Sequence, residues 1–139
     1  MEILPLSGRA ALICGSTQGI GKAVAMELAR LGASITLLAR DVQALAAVKA
    51  TLPTSADQWH SIIACDLSQT DALRASIQGL VAGQAIDIVV NNTGGPAPGP
   101  AHEADPGAFL AAFTQHLIGF QTIAREVVPA MKLRRHGRF

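Results

Sequence analysis

The stretch Cys14-Gly15-Ser16-Thr17-Gln18-Gly19-Ile20-Gly21 constrains the fold of this chain more than any other. Ahead of it, Ala10-Ala11-Leu12-Ile13-Cys14 is apolar throughout and reads as a strand buried on both faces. Behind it, Ile20, Val24, Leu28 and Leu31 recur at helical spacing, and Gly32 stops the helix. A strand buried on both faces needs helices above and below it, so it belongs in a parallel sheet. The glycines divide the work of the junction. Gly15 allows a tight turn, Gly19 lets backbone approach a ligand with no Cβ between them, and Gly21 lets the helix pack closely on the sheet.

The rest of the chain repeats the alternation. Strands are expected over 34–39, 61–65 and 86–90. A helix from the N-cap Asp41 to about 52 precedes Pro53, and another, capped by Thr70 or Asp71, runs to about 82. Residues 91–105 form a loop rich in proline and glycine. Pro106 then opens a single long helix to about 135, with Phe109, Phe113, Leu117, Phe120 and Ile123 along one side. Strand and helix in strict alternation imply a parallel α/β sheet with right-handed crossovers and strand order 3-2-1-4, half of a doubly wound sheet. In that order Cys14 and Cys65 stand two strand spacings apart, about 10 Å, beyond disulfide reach; both read as buried small residues.

With 139 residues the chain is expected to be one domain, 1–139, with no linker or repeat. Half its residues are hydrophobic and 15% charged, so a disordered chain is excluded. A net charge of +1 gives no global field for nucleic acid or anionic membrane. Lys132, Arg134, Arg135 and Arg138 read as a solvated helix end, where cations suit the dipole. No apolar run approaches the roughly 20 residues of a membrane span, and Met1-Glu2-Ile3-Leu4-Pro5 lacks the basic region and long apolar region expected of a signal peptide. Two cysteines make no disulfide framework, so a cytoplasmic setting is the default. No metal site is expected.

The helix start at Gly19 offers free N–H groups and a partial positive charge, suited to a pyrophosphate. The spacing G-x-x-x-G-x-G resembles the nucleotide fingerprint T-G-x-x-x-G-x-G of the short-chain dehydrogenase/reductase family, with Cys14 at the threonine position. Local packing there is expected to differ and binding to survive. Asn91-Asn92-Thr93-Gly94 resembles that family's N-N-A-G, with Thr93 in the alanine place. The stretch 112–131, with Pro129 and Met131 near its end, looks like its long helix after the fourth strand. The resemblance implies a Rossmann-type sheet and a dinucleotide held by Gly15, Ser16, Thr17, Gln18, Gly19, Ile20, Gly21, Arg40, Asp66, Leu67, Asn92, Thr93 and Gly94. Asp66 would accept from the adenine amino group, Leu67 would back the ring, and Asn92 would bond on the ribose side while Asn91 ties the strand end to its neighbours. Arg40, directly after the second strand, cannot accept from ribose hydroxyls but can pair with a 2′-phosphate, which favours NADP over NAD. His116 takes the place of an asparagine that holds a relay water in the family.

The resemblance implies hydride transfer between the nicotinamide and a ketone or alcohol, a 3-oxoacyl thioester among the candidates, and a homo-oligomer formed through the long helix. The family's acid is a tyrosine, with a lysine one helical turn later and a serine on the fifth strand. This chain has no tyrosine, and Gly137-Arg138-Phe139 resembles only the opening of that fifth strand. The chain is therefore expected to be the N-terminal part of a reductase, truncated or with the rest disordered, since an end here leaves the fourth strand an exposed apolar edge. The alternatives are a non-catalytic dinucleotide-binding or regulatory module and an assembly unit. A methyltransferase would want an acidic residue where Arg40 stands.

Overall fold

The computed structural model describes residues 4–55 and 57–139; Met1, Glu2 and Ile3, on which the leader reading partly rests, lie outside them. Four parallel strands, β1 (Ala10–Cys14), β2 (Ser34–Ala39), β3 (Ser61–Ala64) and β4 (Ile88–Val90), lie in the order β3-β2-β1-β4. Helices α1 (Gly19–Arg30), α2 (Val42–Thr51) and α3 (Thr70–Gly83) form the crossovers, and α4 (Pro106–Phe113) and α5 (Gly119–Arg134) follow β4. The register sets Cys14 beside Leu38 and Ile13 beside Val90, so the strand exits end together at one edge.

Alternation along β1 splits the core into two layers. Ala11 and Ile13 face Ile35, Leu37, Ala25, Ala29, Leu45 and Val48, the α1 and α2 side. Leu12 and Cys14 face Leu38, Leu73, Ile77, Ile123 and Val127, the α3 and α5 side. Leu12, Ile13, Leu37 and Ile77 are wholly buried. Each such side chain contributes about 1.5–3 kcal/mol of transfer free energy.

The edge of the sheet away from the strand exits is held by charge. Asp87 is buried; its Oδ2 accepts from Ala10 N at 3.1 Å, and its Oδ1 lies 3.4 Å from Arg9 and 3.7 Å from Arg134. Arg134 also donates to Ile86 O at 2.7 Å, so this arginine ties α5 to the sheet rather than merely solvating a helix end. Arg138 N donates to Asp87 O and Arg138 O accepts from Val89 N, each at 2.9 Å, forming a parallel bridge beside Ile88. The free side of β4 is therefore covered at these residues, where an exposed edge was expected.

Three local expectations are corrected. The fourth strand begins at Ile88, not Ile86. The N-cap of α3 is Gln69, with no side-chain bond, rather than Thr70 or Asp71. The long helix is not continuous: residues Thr114–Ile118 form a π turn between α4 and α5. An i→i+5 turn inserts a residue and rotates the helix beyond it. The expected apolar side is broken with it: Phe109, Phe113 and Leu117 are exposed, whereas Ile123 is buried.

Candidate functional site

The strand exits enclose a cleft of about 500 Å³. The glycine turn supplies Gly15, Thr17, Gln18, Gly19 and Ile20; the end of β2 supplies residues 38–41; residues 65–67 follow β3; and residues 92–95 with Gln115 close the far side. This is the crevice at which the strand order reverses.

The glycine turn is fixed from below and open above. Gly15 has φ +59°, and a Cβ there would fall 2.6 Å from Asn92 O. Gly21 is packed so that a Cβ would meet Gly15 O at 2.2 Å. Gly19, at φ +55°, has nothing within 4 Å of the place a Cβ would take, and the same holds for Gly94 and Gly95. All three line the cleft, so the missing side chains leave room for a ligand. The start of α1 has no side-chain cap and no acidic residue in its first turn, leaving its N–H groups to an anion. Ser16 is turned inward: it is buried, and its Oγ donates to Leu38 O at 3.5 Å.

Asn92 makes the tie that was expected of Asn91, and it also lines the cleft. Its Nδ2 donates to Gly15 O at 3.1 Å and lies 3.5 Å from Cys14 O, tying the β4 exit to the glycine turn; Asn91 is exposed. Asp66 Oδ1 accepts from Ser68 N at 2.9 Å and Ser68 Oγ at 2.7 Å. These two bonds, and then the charge of Arg40, hold the Asp66 carboxyl below its ordinary value and keep it ionised. Arg40 is exposed at the cleft and, among the described residues, makes no ion pair within 4.0 Å. Leu67 is mostly buried, and its carbonyl receives the bare face of Gly119 on α5.

Both cysteines are buried free thiols. Burial, with Cys65 nearby, pushes the Cys14 thiol up to about 12; burial also raises Cys65. Neither is a nucleophile in this state.

The sequence reading missed Gln115. It lines the cleft, and its Nε2 donates to Thr93 Oγ1. His116, the neighbour singled out instead, is half-buried and does not line the cleft. No helical pattern could separate the two, because the π turn changes which residues face the strand exits.

A sequence profile described as short chain dehydrogenase matches residues 9–139. A very-long-chain 3-oxoacyl-CoA reductase-A from Danio rerio is 34% identical over 137 residues, which cover 96% of this chain and 43% of that protein. The crystal structure of a metagenomic short-chain oxidoreductase in complex with NADP is 37% identical, with a TM-score of 0.85 over 95% of this chain and 59% of its own. That of a 3-oxoacyl (acyl-carrier-protein) reductase from Agrobacterium tumefaciens with NADP bound is 29% identical, with a TM-score of 0.86 over 97% and 52%. The chain spans less than half the length of the Danio rerio relative.

Proposed function

This chain belongs to the short-chain dehydrogenase family, and on that premise we propose that residues 1–139 form the NADP(H)-binding part of a short-chain oxidoreductase. The observation that carries the cofactor reading is Arg40. It stands at the end of β2, on the cleft, with no ion-pair partner among the described residues. A guanidinium there matches a 2′-phosphate in charge and in fork geometry.

The residues present fit a dinucleotide. The uncapped start of α1, with Gln18, Gly19 and Ile20, suits a pyrophosphate; Thr17 and the Ser16-stabilised turn shape its approach. Asp66 keeps Oδ2 unbonded among the described residues and can accept from an adenine amino group, while Leu67 lies behind the ring. Asn92, Thr93 and Gly94 form the wall on the ribose side. Bound there, the nicotinamide would give or take the hydride. His116, beside the cleft wall in the π turn, is the residue proposed to hold a relay water.

The substrate we propose is a ketone or the matching alcohol, with a 3-oxoacyl thioester as the specific candidate. The relatives named as 3-oxoacyl reductases support it. The exposed apolar residues Phe109, Leu110 and Phe113 support assembly of copies through the long helix. With two cysteines and no disulfide framework in its sequence, the chain is assigned the cytoplasm as the default setting.

Titrating the purified chain with NADPH and with NADH, read by nucleotide fluorescence, tests the cofactor. NADPH should bind at least about tenfold tighter, since a charge-assisted bond to phosphate contributes roughly 1.5–3 kcal/mol. Equal or tighter binding of NADH would remove the Arg40 argument. Oxidation of NADPH by the full-length protein with 3-oxoacyl thioesters, set against plain ketones, tests the substrate.

A further inference from the structure

We infer that Gln115 is a positioning residue for the bound dinucleotide, acting through Thr93. The inference rests on the cleft being the dinucleotide site proposed above. Two contacts pin the long helix to the cleft. Gly119 seats on the carbonyl of Leu67, and Gln115 Nε2 donates to Thr93 Oγ1. The first holds the helix to the exit of β3, the second to the exit of β4.

The second contact completes a hydrogen-bonded tie across the cleft. Gly15 O accepts from Asn92 Nδ2; Thr93 is next to Asn92 in the chain; and Thr93 Oγ1 accepts from Gln115. The hydroxyl's own proton points to Gly94 O at 3.5 Å. The glycine turn, the β4 exit and the π turn are thus linked by side chains rather than by backbone ladders. Beyond Thr93 the chain runs exposed and irregular to Pro100, so this tie is the last fixed point on that wall. The Gln115 Oε1 has no partner among the described residues and stays available as an acceptor. An alanine at position 93, as in the family pattern that Thr93 departs from, has no hydroxyl to receive Gln115. The pair is therefore a feature of this chain's own residues.

The role predicts a specific pattern of affinities. Gln115 and Thr93 lie on the wall away from Arg40, so losing the tie weakens NADPH and NADH alike and leaves their ratio unchanged. Removing either partner forfeits the same bond, so the second removal adds nothing. Dissociation constants for both nucleotides, with circular dichroism and melting midpoints of the free proteins, test this in Gln115→Leu, Thr93→Val, their double variant and Thr93→Ser. The expected result is about three- to tenfold weaker binding of both nucleotides in each of the first two, the span of one ordinary hydrogen bond. The double variant should be no weaker than the worse single, and Thr93→Ser should bind as the parent does. Should Gln115→Leu fold poorly, Gln115→Met, which keeps the side-chain length, takes its place. Three results would overturn the inference: unchanged binding in the folded Gln115 variant, losses that multiply in the double variant, or a loss that vanishes once the unfolded fraction is corrected for. A parent protein that binds neither nucleotide would overturn the dinucleotide reading, and this inference with it; a parent that binds while the variants bind equally well overturns this inference alone.

Discussion

Asn92 Nδ2 donates to the carbonyl oxygen of Gly15 at 3.1 Å, joining residues 77 positions apart in sequence. One amide holds the exit of β4 against the turn that opens α1. Asn92→Asp keeps the shape and exchanges the donor for a carboxylate facing the carbonyls of Gly15 and Cys14. Stability should fall by about 1–3 kcal/mol, as for a buried bond replaced by repulsion. Urea unfolding measures it, and nucleotide affinity should fall with it.

Gly21 and Gly19 should separate packing from ligand approach. Gly21→Ala drives a Cβ to 2.2 Å from Gly15 O, a backbone atom with nowhere to go. A loss of about 3 kcal/mol or more is expected, seen as a lower melting midpoint. Gly19→Ala meets no atom within 4 Å and carries only the strain of φ +55°, about 1–2 kcal/mol. Its larger effect should be on nucleotide binding, because the added methyl enters the cleft.

Arg40→Ala should weaken NADPH by about tenfold or more and leave NADH nearly unchanged. The side chain is exposed and its charge is only the lesser support of ionised Asp66, so the melting midpoint without nucleotide should move little. Isothermal calorimetry with the two nucleotides reads both numbers.

Asp66 gives a pH dependence with a definite sign. Its folded carboxyl titrates below the ordinary value because Ser68 bonds the ionised form, with Arg40 adding to the effect. Stability from this group is therefore fully present above the ordinary aspartate range and is lost as pH falls through the lowered folded value. Ser68→Ala should raise the Asp66 titration, followed by carboxyl NMR, and shift this acid-side loss to higher pH.

His60 Nδ1 accepts from Ile35 N at 3.0 Å, and its Nε2 bonds Pro53 O at 3.0 Å. His60→Ala strands the Ile35 N–H at the start of β2. Stability should drop by about 1–3 kcal/mol in chemical unfolding, with nucleotide affinity unchanged because the cleft lies at the other ends of the strands.

Much of this architecture was legible in the residue order. The apolar run 10–14, the glycines and the periodicity of α1 are local signals, and they specify a strand, a turn and a helix whatever surrounds them. Alternation of four such units fixed a parallel sheet, and the order 3-2-1-4 brought the exits of β1, β2, β3 and β4 to one cleft. Arg40, Asp66 and Thr93 came from the family resemblance, and each lies within a few residues of a strand's end, where the chain faces that edge.

The remainder depends on the third dimension. Asn91 and Asn92 are chemically identical, and only the direction in which the chain leaves β4 decides which reaches Gly15. The π turn shifted Gln115 into the cleft and left His116 beside it, because one added residue rotates a helix face by an amount no periodicity records. Arg134 read as a solvated cation until α5 was laid across the sheet, where Ile86 O and Asp87 lay within its reach. By itself, then, the sequence determined the elements, their order and the edge at which a ligand would sit, because steric and hydrophobic rules act over a few neighbouring residues. The tertiary structure decided which polar atoms are spent on the protein and which remain free, because hydrogen bonds form between groups that only folding brings within about 3 Å.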